Sequence, residues 1–201
     1  MQLQYNLYFG VSAIILMVVL VIYSRITYNM DSVRNKEFYK LFIYVLVTDI
    51  LDVVTAVTIS YAAVIPKIVN IILNTCFFGG NAMLSYQFLK YSDLSINWFQ
   101  GEAKVAPAYR VIMGAQAFLL TINAFNGIVF DFDSAGTYIH GPFYAMTYIV
   151  PYSCMASGVS RMVRHIKQYN FQQRMSIFSF SHTFKITSQG FPSIASFLIC
   201  T

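Results

Sequence analysis

The stretch FYKLFIYVLVTDILDVVTAVTISYAAV, residues 38–64, is apolar over a length that crosses a bilayer, yet it carries Asp49 and Asp52 near its middle. A bilayer core about 30 Å thick takes roughly 20 apolar residues as a helix. An outer-membrane strand needs only about ten, in strict alternation, and this run has neither that length nor that pattern. The stretch therefore reads as a membrane-crossing helix. Four further windows of the same kind lie at about 5–24, 68–89, 111–130 and 139–160. The expected fold is all-α, a polytopic transmembrane helix bundle of five complete spans over residues 1–174. Residues 175–201 are expected as an incomplete sixth span or a tail, because His182, Lys185, Gln189, Gly190 and Pro192 interrupt the apolar run there.

Composition agrees with that fold. The chain is 57% apolar, 17% aromatic and 10% charged, against about 25% charged in a soluble domain. A formal charge of +5 invites a nucleic-acid reading, but the basic residues form no stripe interleaved with exposed aromatics. They follow the connections between the apolar windows instead. Arg25, Arg34, Lys36 and Lys40 flank the first connection, Lys90, Lys104 and Arg110 the third, and Arg161, Arg164, Lys167 and Arg174 the end of the fifth window. The alternate connections hold only Lys67, and Asp131 with Asp133. Since loops retained in the cytoplasm collect Lys and Arg, the N-terminus is expected outside and residues 161–174 inside. Trp98, the sole tryptophan, falls in an inner loop near a membrane edge.

Carboxylates at bilayer depth cost about 2.5–3.5 kcal/mol each on insertion scales, so Asp49 and Asp52 should face protein or water. Their i, i+3 spacing puts them on one helix face. Two amide stripes offer partners: Asn70, Asn74 and Asn81 on the third span, and Gln116, Asn123 and Asn126 on the fourth. Two readings stand open for this cluster. One is interhelical glue, worth about 0.6 kcal/mol per side-chain bond; the other is a polar pocket or proton-linked pathway between spans two, three and four. Tyr144, Tyr148 and Tyr152 form a further i, i+4 stripe that either packs or lines a ligand cavity, with His140 at its outer mouth.

Catalytic signatures are not found: there is no G-x-S-x-G, phosphate loop, H-E-x-x-H or S-x-x-K. Cys76, Cys154 and Cys200 are odd in number and widely spaced, and His140, His165 and His182 are dispersed, so neither a disulfide framework nor a metal set is expected. No cofactor and no enzymatic activity are expected of this chain.

The runs NKEFYKLFIYVLVTDILDVVT, IVNIILNTCFFGGNAMLSYQFLKY and VRHIKQYNFQQRMSIFSF together resemble the N-terminal multi-pass membrane region of bacterial GGDEF diguanylate cyclases. The resemblance covers roughly residues 5–180. It implies a sensor or anchor in the bacterial inner membrane, and a following cytoplasmic domain that makes cyclic di-GMP from two GTP molecules. The GGDEF loop itself is absent here, since Gly79-Gly80 continues into Asn81-Ala82 within an apolar window. With the N-terminus outside, an odd number of spans would be needed to deliver such a domain, and the break after Ser181 reads as a truncated or frameshifted product. The partners expected are the lipid bilayer, a small-molecule signal of unknown identity and, as one alternative, a second copy of the chain; nucleic acid is not among them. Rival functions are a small proton-coupled carrier using the two aspartates, and a membrane assembly subunit.

Overall fold

The computed structural model describes residues 7–28, 30–62, 64–96, 105–133 and 136–165. Trp98, the bases Lys104, Lys167 and Arg174, and the whole of the expected sixth span lie outside them. The elements in chain order are α1 (Leu7–Thr27), α2 (Val33–Ser60), α3 (Lys67–Ile96), α4 (Pro107–Asn126), β1 (Phe130–Phe132), β2 (Tyr138–His140) and α5 (Met146–Arg164). Helices α1 to α4 are each long and apolar enough to cross a membrane. The chain is a membrane protein with an all-α bundle and one small hairpin.

The helix ends follow local chemistry. Pro107 opens α4, where a missing N–H costs nothing. Gly127 closes it in the left-handed region at φ 64, its N–H bonded to the Asn123 carbonyl at 3.0 Å.

The fifth helix is where the observed fold departs from the expected one. The window at 139–160 reads as one span, but β2 and a turn occupy its first residues and α5 starts only at Met146. α5 has 19 residues, about 28 Å at 1.5 Å per residue, and it is more polar than the other four. Pro142 interrupts the run, and Gly141 lies so close to the Ile128 carbonyl that a Cβ there would collide with backbone. The Gly141 N–H bonds Val129 O at 2.8 Å and the Phe143 N–H bonds Ile128 O at 3.1 Å. These bonds hold the chain in a turn where apolarity alone suggests helix. β1 and β2 pair antiparallel, with Phe130 opposite His140 and Phe132 opposite Tyr138.

α3 is the central helix, packed against α2, α4 and α5, while α1 leans on α2. Contact pairs give the directions. Gln87 meets Glu37 and Gly80 faces Thr48 and Leu51, so α2 and α3 are antiparallel. Phe78 meets Tyr148 and Asp93 meets Arg161, so α3 and α5 run parallel. One end of the bundle therefore carries the hairpin and the other carries Glu37, Lys90 and Arg161. The largest buried cluster sits at the hairpin end and is built from Ile71, Phe78, Leu120, Val129, Phe130 and Phe132. Outward-facing apolar side chains such as Tyr8, Phe9, Ile26 and Phe125 remain exposed, as acyl chains require of a helix surface.

Gly158 sets the approach of α5 to α3. A Cβ there would come within 2.8 Å of both Phe88 Cε1 and Ser92 Oγ, tighter than packed atoms tolerate. Gly158→Ala should destabilise the protein by about 1–3 kcal/mol through overpacking, read as a lower thermal midpoint in detergent. Gly114→Ala, where nothing lies within 4 Å of the added atom, should leave the midpoint unchanged or raise it slightly; equal effects at the two glycines would refute the close approach.

Candidate functional site

Three polar or aromatic constellations lie within the bundle. At the end away from the hairpin, Glu37 on α2 is buried and collects donors from two helices. Lys40 Nζ reaches its Oε1 at 2.8 Å and Lys90 Nζ on α3 the same oxygen at 3.1 Å. Gln87 Nε2 donates to Oε2 at 2.6 Å and to the Glu37 carbonyl at 3.2 Å. A turn further along α3, buried Asp93 accepts from Arg161 Nη1 on α5 at 2.8 Å. Nearby, the Tyr109 hydroxyl on α4 donates to Ser157 Oγ on α5 at 2.8 Å. These bonds join all four of α2 to α5 at one end.

At the hairpin end the aromatic residues form a continuous group. Phe78 has its ring centroid 5.6 Å from Phe130, 5.9 Å from Tyr144 and 6.1 Å from Tyr148. His140 stacks on Tyr144 at 3.8 Å with 14° between planes. The Tyr144 and Tyr148 hydroxyls share a hydrogen bond of 2.9 Å, and Tyr148 stacks loosely on Tyr152 at 6.4 Å. Burial holds the Tyr138 hydroxyl above the ordinary phenol range and the His140 ring below the ordinary imidazole range, since desolvation penalises each charged form. Asp52 on α2 lies within electrostatic reach of both Asp49 and Tyr148.

The third constellation is the seam between α3 and α4. The buried residues of α4 are Gln116, Leu120 and Asn123, an i, i+4, i+7 stripe in which two of three side chains are amides. Asn70 and Asn74 are buried on α3. Asn74 Nδ2 turns back to donate to the Asn70 carbonyl at 2.9 Å. Asn123 Oδ1 accepts from two backbone groups, Val129 N–H at 2.6 Å and Phe130 N–H at 3.0 Å. That side chain pins the start of the hairpin to α4.

The chain matches no family model, no curated protein and no solved structure.

Among the residues singled out in the sequence, Asn70 and Asn74 are buried on α3 and Gln116 and Asn123 on α4, two helices that pack on one another, and Tyr144, Tyr148 and His140 form one contact group. Asn81 is half-buried and Asn126 is exposed at the end of α4. Asp49 and Asp52 are half-buried on α2, beside the α3 face that carries Gly80. Among the described residues no group of three His, Cys, Asp or Glu side chains gathers as a metal site. Sequence reasoning missed Glu37, Gln87 and Asp93 entirely, and took Lys40, Lys90 and Arg161 only as markers of orientation. The signal was present in E-F-Y-K and K-Y-S-D, two acid–base pairs three residues apart at the borders of apolar runs.

The hairpin has one more tether. Lys67 Nζ at the start of α3 lies 2.7 Å from Asp131 Oδ1. Burial opposes ionisation of Asp131, but the Lys67 ammonium and the Phe132 backbone N–H outweigh it and hold the carboxyl below its usual range. A carboxyl depressed in the folded state stabilises above its unfolded pKa, about 3.9, and loses that contribution as pH falls through the folded value. Both side chains are about half exposed, so water and salt reduce the pair to under about 1 kcal/mol. Lys67→Met is expected to return Asp131 toward the ordinary carboxylate range with little change in stability. A carbon-detected titration of the labelled aspartate reads this; an unmoved Asp131 would mean that Lys67 is not its partner in solution.

Proposed function

We propose that this chain is the membrane-embedded sensory or anchoring region of a bacterial signalling protein, of the kind that precedes a diguanylate cyclase domain. In this reading it has no enzymatic activity of its own. It is a multi-pass protein of the inner membrane, all five helices crossing, with the N-terminus outside and the end of α5 in the cytoplasm. The observation that carries the reading is the course of α5: a single helix carries Tyr148, in the hairpin-end aromatic cluster, and Arg161, ion-paired to Asp93 near the opposite end. A change of packing at the hairpin would tilt or shift that helix and alter its far end, where the resemblance expects an output domain. A signal can drive such a change only by binding two arrangements of the bundle with different affinity.

Two experiments test the reading. Fusion of alkaline phosphatase after Asp133 should give an active enzyme, and a fluorescent protein fused after Arg164 should fluoresce; the opposite pattern would overturn the orientation. Sequencing the source locus past codon 201 in all three frames should reveal further apolar segments and a GGDEF domain. A stop with no such sequence beyond it would sink the cyclase association, and the carrier and assembly readings would then lead.

A further inference from the structure

We infer that the seam between α3 and α4 is a binding site for a small neutral hydrogen-bonding molecule, water in the simplest case, held by Asn70, Gln116 and Asn123. The inference stands whether or not the signalling reading does. Both amide atoms of Asn70, both of Gln116, and Asn123 Nδ2 are buried without a hydrogen-bond partner in the protein. Asn70 is 1% exposed, Gln116 4% and Asn123 1%. All three lie on the two helices that pack at that seam. Gln116 and Asn123 are two of the three residues in the buried stripe of α4, and Leu120 between them shares a cluster with Ile71, the neighbour of Asn70 on α3.

Such burial is costly in any protein, because each polar group loses its bonds to water and gains none in exchange. Packing glue does not explain it, because glue requires the amides to bond one another, and these do not. The chemistry of the groups names the occupant. They offer three amide donors and two carbonyl acceptors with no charged side chain among the unpartnered atoms, the pattern that a neutral molecule with both donor and acceptor fits. Buried waters characteristically serve such groups, making about three bonds each. A solute with an amide or urea head has the same pattern. From Gln116 to Asn123 is seven residues, about 10 Å along α4, enough for a short file of waters or one small solute. Asn123 ties the seam to the hairpin, since its oxygen holds Val129 and Phe130, so occupancy on the Nδ2 side and hairpin position meet in one side chain.

The test uses the whole protein, unmodified, in detergent with its asparagine and glutamine side chains nitrogen-labelled. Side-chain NH2 signals of Asn70, Gln116 and Asn123 should exchange with water at least tenfold faster than that of Gln87, whose amide is equally buried but bonded to Glu37. Acetamide is then titrated as the probe solute. Shifts confined to the three seam amides would mark a solute site; water exchange without acetamide shifts would mark water as the occupant. Three seam amides as protected as Gln87 and blind to acetamide would overturn the inference.

Discussion

Replacing Asn123 by alanine is expected to remove about 2–6 kcal/mol of stability and to release the hairpin from α4. Two backbone donors lose their acceptor. Val129 and Phe130 are both fully buried and both give their N–H to Asn123 Oδ1, and each buried donor left without an acceptor costs about 1–3 kcal/mol. The readout is backbone hydrogen exchange at those two amides, which should accelerate strongly in Asn123→Ala while amides in the middle of α3 keep their protection. Asn126→Ala supplies the control. Asn126 belongs to the same amide stripe in the sequence but is exposed, so its replacement should stay within about 0.5 kcal/mol of the parent. Two equal and small effects would show that the hairpin is held by its aromatic core alone.

Glu37→Ala is expected to cost about 3 kcal/mol, at the lower edge of what breaking a buried ion pair costs. The lower edge applies because the lysines reach water: their side chains are 55% exposed for Lys40 and 35% for Lys90. The Lys40 contact is an i, i+3 pair on one helix and contributes only about 0.3–0.5 kcal/mol. Most of the effect comes from the other helix, where buried Gln87 and Lys90 lose their acceptor at once. Lys40→Met should therefore be nearly silent and Lys90→Met intermediate. Thermal or denaturant unfolding in a fixed detergent measures the series. A loss below about 1 kcal/mol for Glu37→Ala would mean that this end of α2 and α3 is held by packing around Leu41 and Phe88, with the charges as bystanders.

The two variants act at opposite ends of the bundle and share no partner, so their costs should add. They also separate roles within the proposed signalling region. Loosening the hairpin disturbs the face where a ligand would arrive; loosening Glu37 disturbs the end from which an output would leave.

Much of this architecture was legible in the sequence because the bilayer imposes a length. Each window near twenty apolar residues reports a helix without reference to its neighbours, and α1 to α4 follow from that alone. The amide stripes were legible too, since 3.6-residue periodicity places Asn70 with Asn74 and Gln116 with Asn123 whatever packs against them. The window at 139–160 followed the same logic only from Met146 on. An apolar run rich in aromatic residues suits a buried strand as well as a helix, and what decided between them was the meeting of Gly141 with the carbonyl of Ile128, a contact between residues that only the turn brings together.

Rotation and depth were the other quantities that the tertiary structure alone supplied. Periodicity gives the face on which Asn123 and Asn126 stand but not which of them points at a neighbouring helix, and a shift of three residues turned one inward and left the other in the open. The same holds for Glu37, Gln87 and Asp93, whose partners Lys90, Glu37 and Arg161 lie up to 68 residues away in the chain. Sequence by itself determined that α1 to α4 become helices, because hydrophobicity and helix period are local properties. The fold decided which polar groups meet, because a hydrogen bond is satisfied within about 3 Å and only the packing of one helix on another sets distances that small.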